Sequence, residues 1–106
     1  MILSNKLLSE VSMTASIVSD PVYLHRQIGY AMHFVYTGAP TGAIYISVSI
    51  DGVNWRVLAD SSTAISAAGD TFYNVTNAGY LVARAHYAFT SGSGSLTVLY
   101  SSKEIT

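Results

Sequence analysis

AIYISVSIDGVNWRVL, residues Ala43 to Leu58, alternates two kinds of side chain and then stops at a turn dipeptide. Ile44, Ile46, Val48 and Ile50 recur at every second position, with Tyr45, Ser47 and Ser49 between them. That is the period of a strand with one face buried. Asp51-Gly52 follows, the dipeptide favoured in tight hairpins, because glycine tolerates positive φ and aspartate can bond the turn backbone. Asn54 is placed to bond the same turn, and Trp55, the single tryptophan of the chain, opens the returning strand. Asp51, Gly52, Asn54 and Trp55 are therefore expected to form a structural hairpin, with the indole closing one end of a core. The competing reading makes Trp55 a stacking platform for a sugar ring or a partner.

The same period extends on both sides of this hairpin. Ile28, Tyr30, Met32, Phe34 and Tyr36 form an aromatic-rich stripe expected to be a central strand. TGAPTG, residues 37–42, carries two glycines and a proline and reads as the loop after it. Residues 12–19 also alternate, up to Pro21. After a small-residue stretch anchored by Ile65, Thr71 to Val75 resumes the pattern. Beyond an Asn77-Ala78-Gly79 turn, Leu81, Ala83, Ala85, Tyr87 and Phe89 share one face, with Tyr80, Val82, Arg84, His86 and Ala88 on the other. SGSGS, residues 91–95, reads as a final hairpin turn leading back through Leu96, Val98 and Tyr100. About seven or eight short strands and no convincing helical window indicate an all-β protein, an antiparallel β-sandwich or jelly roll. A short helix near Lys6 to Val11 is the one exception the pattern allows. Residues 1–20 read as an N-terminal arm and first strand, and residues 21–106 as the sandwich of a single domain.

Composition narrows the chemistry. The 106 residues contain no cysteine, which excludes disulfides, thiolate nucleophiles and thiolate metal sites. Only 10% of residues are charged, against roughly 25% in ordinary soluble domains, and 50% are hydrophobic. So weakly charged a surface suggests that part of it is covered by something else. Five Lys/Arg and six Asp/Glu are scattered singly, so no basic stripe exists to engage nucleic acid. No apolar run approaches the roughly 20 residues of a membrane-spanning helix. The first residues read poorly as a signal peptide, because Lys6 and Glu10 interrupt the apolar run.

No catalytic constellation emerges. His25, His33 and His86 lack metal-ligand spacing, no GxSxG is present, and no pair of acids has recognisable spacing. The expectation is a non-enzyme with no cofactor. The eight tyrosines point elsewhere. Each hydroxyl needs a partner, so they cannot all be central core, and tyrosine with little charge is the composition of contact surfaces. Tyr23, Tyr45, Tyr73, Tyr80, Arg84 and His86 are the interface candidates.

Taken in order, the TGAPTG segment, the SIDGVNW hairpin, the glycine turn before YLVARAHY and the SGSGSLTVLYSSKE end resemble small β-sandwich virion proteins and appended domains of tailed bacteriophages. The resemblance covers roughly Tyr30 to Glu104. It implies a virion structural protein, assembled in the host cytoplasm, most similar to capsid decoration (cement) proteins. The implied partners are the major capsid protein and further copies of the chain, with no nucleic acid and no membrane. A tail or baseplate accessory protein is the nearby alternative. The DGxNW hairpin is also similar to one in discoidin-type carbohydrate-binding domains, which implies carbohydrate as an alternative ligand.

Overall fold

The computed structural model describes residues 2–24, 27–58, 61–76 and 82–104, and among them there are strands and no helix. The strands are β1 (Ile2–Ser12), β2 (Ile17–Val18), β3 (Val22–Tyr23), β4 (Gln27–Ser49), β5 (Arg56–Val57), β6 (Thr63–Ile65), β7 (Gly69–Thr76) and β8 (Val82–Glu104). All their pairings are antiparallel. The all-β antiparallel architecture expected from the two-residue period is the one formed.

Its connectivity differs from the expected chain of short hairpins. β4 and β8 each run 23 residues and pair with each other from end to end, Gln27 with Glu104 through to Ser49 with Val82. Residues 37–42 are thus the middle of β4 and residues 91–95 the middle of β8, where a loop and a hairpin turn were expected. A straight strand of this length would span about 75 Å. The molecule measures 42 Å along its longest axis, so the ladder has to bend. Gly38 and Gly92 supply the bend with φ of +80° and +86°. These residues mimic loop composition because a sharply bent strand and a turn need the same backbone freedom.

The bend includes a β-bulge that keeps the core continuous. Thr41 pairs with Ser91 but Gly42 pairs with Phe89, so Thr90 is an extra residue in β8. One added residue exchanges the faces of a strand. Along β8 the buried positions accordingly switch from Ala83, Ala85 and Tyr87 to Leu96, Val98 and Tyr100. Along β4 the parity is unbroken, with Tyr30, Met32, Phe34, Tyr36, Ile44 and Ile46 all buried. The two halves of the ladder therefore turn the same face inward, onto one apolar cluster. Phe72 and Leu99 stay exposed on the side away from it.

The bend also divides the ladder's flanks. Beside the first half of β4 lies β7, and beside the second half of β8 lies β1, giving the order β1-β8-β4-β7. At the other end β2 and β3 flank β8, while β5 and β6 flank β4. Residues 6–11, where a helix was admissible, belong to β1. Leu7, Leu8 and Val11 pack against the core, and pairing to β8 satisfies the backbone that a helix would otherwise bond internally.

The flanking strands β2, β3, β5 and β6 are only two or three residues long, so they leave ladder positions unpaired. Serines fill several of those positions. Ser19 Oγ accepts the Ala85 N–H at 2.8 Å, Ser16 Oγ the Phe89 N–H at 3.0 Å and Ser61 Oγ the Ile46 N–H at 3.1 Å. Hydroxyls thereby substitute for missing strand residues.

Candidate interaction surface

The β4–β5 hairpin is capped by Asp51, through a loop wider than a two-residue turn. β4 ends at Ser49 and β5 begins at Arg56, with Ser47 opposite Val57 and Val48 opposite Arg56. Asp51 Oδ1 accepts the backbone N–H groups of Val53 and Asn54, both at 2.9 Å, and the Ser49 hydroxyl at 3.0 Å. Asn54 Nδ2 donates to Asp51 Oδ2 at 2.7 Å, and the Gly52 N–H donates to Ser49 Oγ at 2.8 Å. Hydrogen bonds from Asn54 and Val53 hold the exposed Asp51 carboxyl well below the usual carboxylate range. Gly52 sits at φ +80° with open space around it.

Trp55 does not close the core. It is half-buried, stands outside the apolar cluster, and has the Arg84 guanidinium 3.9 Å from its ring centre. The physical reason is the loop cap. Once Asp51 gathers residues 49–54, Trp55 stands just before β5 on the side turned away from the core, the side that also carries Val57. There the cation of Arg84 meets the negative face of the indole.

Arg84 begins a connected row across that face. Its Nε–H donates to Ser47 Oγ at 3.3 Å, and Ser47 Oγ lies 2.6 Å from His86 Nε2. The Ser47 hydroxyl thus accepts from Arg84 and shares a second hydrogen bond with His86, whose direction follows the imidazole tautomer. Burial, and then the Arg84 cation, push the His86 pKa down from its ordinary value. Tyr45 lies flat on the His86 ring, with centroids 4.6 Å apart and planes at 8°. Antiparallel register places these contacts, because Tyr45 is opposite His86 and Ser47 is opposite Arg84. Val18, paired with His86 through β2, and Val57, paired with Ser47 through β5, extend the face and are exposed. Tyr23, at its rim on β3, is 67% exposed.

Of the interface candidates, Tyr45 and His86 are thus stacked directly, Arg84 joins them through Ser47, and Tyr23 lies on the same side of the sheet. Tyr73 is elsewhere. It turns inward from β7, edge-on to Phe34 with centroids 5.5 Å apart, and its hydroxyl is 2.7 Å from Thr63 Oγ1. Burial raises its pKa. Tyr80 lies outside the described residues. Trp55, read as a core residue, is the member of the surface that sequence reasoning misplaced.

A second feature lies on the outer face of the other half. A groove of about 440 Å³ is lined by residues including Lys6, His33, Phe72, Leu99 and Ser101. His33 Nε2 is 2.7 Å from Asp70 Oδ2, and the ring of Phe72, 61% exposed, stands edge-on to His33 with centroids 5.6 Å apart. Among the described residues no group of three or more His, Asp or Glu side chains could hold a metal ion.

No protein-family model matches the sequence, and no curated protein does. Among solved structures, a chain of the Bacillus endospore appendages, which form a novel family of disulfide-linked pili, is similar with a TM-score of 0.62 at 10% identity. The match covers 99% of this chain and 89% of that one. PirA has a TM-score of 0.49 at 15% identity, covering 93% and 92% of the two chains. FlhE has a TM-score of 0.46 at 9% identity, covering 100% and 97%. At 10% identity, the likeness to the appendage subunit is one of fold.

Proposed function

We propose that this protein is a non-enzymatic structural subunit that works in many copies, and that it decorates the capsid shell of a tailed bacteriophage by binding the major capsid protein. The observation that carries this reading is the outer face built by Trp55, Arg84, Ser47, His86 and Tyr45 and bordered by exposed Val18, Val57 and Tyr23. Aromatic residues and arginine are the types enriched where proteins bind proteins. Here the sheet beneath fixes them in place, so little side-chain entropy is lost on docking. Many identical sites on a shell would make even a modest contact effective.

Two further observations support the structural part. The fold is shared with a chain of the endospore appendages, which form pili. The disulfide linkage of those pili cannot extend to this chain, which has no cysteine. The capsid assignment itself draws on the sequence resemblance over Tyr30 to Glu104.

A carbohydrate-binding module is the second reading, favoured by the exposed Phe72 ring beside His33 and Asp70 over the groove. An aromatic platform flanked by polar groups suits a sugar ring. Co-sedimentation with capsid shells of the encoding phage separates the two. Saturable pelleting that free oligosaccharides do not compete supports decoration. Absence of pelleting together with glycan binding lost in Phe72→Ala replaces it with the carbohydrate reading.

A further inference from the structure

The two long edges of the β1-β8-β4-β7 half are built differently. β1 carries Lys6 and Glu10, its register with β8 shifts between Lys6 and Leu8 and again between Leu8 and Val11, and Glu10 has φ of +48°. Charges and bulges are the devices that stop an edge strand from accepting another strand. β7 has no bulge and a single charged residue. It pairs with β4 at every position from Gly69 to Thr76 without a register shift, and contains no Lys, Arg or Pro. Its single charged residue, Asp70, is already paired with His33. Among the described residues nothing pairs with its other side.

We propose that β7 is a self-association edge: two copies of the chain pair antiparallel through it, about a two-fold axis perpendicular to the sheet. Unpaired backbone groups select a strand as the occupant, and a second copy supplies one that matches. Because β1 is blunted, a head-to-tail β1-to-β7 contact is disfavoured, and the symmetric contact remains. Matching outer face to outer face requires the axis to pass between a residue and its own copy. The two registers with the fullest overlap centre on Phe72 or on Tyr73. In the first, Asp70 faces Asn74 of the second copy; in the second it faces Thr76. Neither opposes like charges. In both, the exposed Phe72 ring gains cover from the second copy, and the two outer faces join into one surface of eight strands.

This pairing does not depend on the capsid reading, and a dimer in free solution is measured without shells. Sedimentation velocity over a concentration series is expected to show a reversible monomer–dimer equilibrium. Phe72→Lys should raise the dissociation constant by about tenfold or more, because it removes the shared ring and adds like charges. Cysteine replacement gives a second readout, since the native chain has none. Phe72→Cys alone, or mixed with Asn74→Cys, should form a disulfide-linked dimer on oxidation according to the register, while Glu10→Cys should not. A wild-type protein monomeric throughout would overturn the proposal. So would a dimer that neither Phe72→Lys weakens nor either cysteine pairing traps.

Discussion

Arg84 and Trp55 face each other across the outer side of the sheet, with the guanidinium 3.9 Å from the centre of the indole. Arg84 is also bound to Ser47, which is bound to His86, which is stacked on Tyr45. The contact ties the 50–55 loop to the ladder and places the single tryptophan at the start of a polar-aromatic row.

Because Trp55 contributes to this surface and not to the core, Trp55→Ala should fold. Losing the contact with Arg84 is expected to cost about 1 kcal/mol. In a domain of this size that corresponds to a fall in Tm of roughly 4–8 °C. Circular dichroism melting checks this; a chain without β signal at 25 °C would return Trp55 to the core.

His86 gives the row a pH dependence. Its folded pKa lies below its unfolded value of about 6.5, so the unfolded chain binds a proton first as pH falls. The stability His86 contributes is complete above that value and is lost as pH drops through the folded pKa. Urea midpoints measured from pH 7.5 to 5 should therefore decline more steeply for wild type than for His86→Gln. Equal slopes would contradict the arrangement.

Gly42 in the bent ladder and Gly52 in the β4–β5 loop respond oppositely to an added side chain. A Cβ on Gly42 would run into the Ala88 carbonyl oxygen and stand 2.9 Å from the Tyr87 ring, whereas one on Gly52 would meet nothing within 4 Å. Gly42→Ala should cost about 3 kcal/mol or more, since backbone has to move. Gly52→Ala should cost about 1 kcal/mol, for its positive φ alone. Paired denaturation curves with the reverse order would mean that the two long strands do not run through the bend.

Ser61 is buried with its hydroxyl oxygen on the Ile46 N–H, and the hydroxyl lies 2.7 Å from the Leu58 carbonyl. Ser61→Ala leaves that N–H without a partner inside the sheet, at a cost of about 1–3 kcal/mol. Ser62→Ala, one residue on and exposed, should be neutral in the same thermal melt.

The strands were legible in the sequence because burial on one face writes a two-residue period, and Phe34 or Ile46 could be assigned inward from spacing alone. The continuity of β4 and β8 was not. Gly38, Pro40 and Gly92 carry the signal of a turn, and only the pairing of Pro40 with Gly92 across the ladder shows that both strands continue through the bend. The surface was half legible. Alternation placed Arg84 and His86 on one face, but their contacts with Trp55 and Tyr45 depend on cross-strand register, which a single strand's pattern does not contain. The role of Ser19 and Ser61 was hidden for a similar reason, since a serine that fills a broken ladder looks like any loop serine.

Under the proposed function, the Trp55–Arg84–His86–Tyr45 face docks on a capsid shell. The most direct measurement is the number of copies retained per shell after co-sedimentation, for wild type, for Tyr45→Ala combined with Arg84→Ala, and for Phe72→Ala. Saturable binding by wild type and Phe72→Ala, lost at least about tenfold in affinity in the Tyr45/Arg84 variant while its fold is retained, is the expected result. Equal binding by the Tyr45/Arg84 variant, or no pelleting by wild type, would contradict the account.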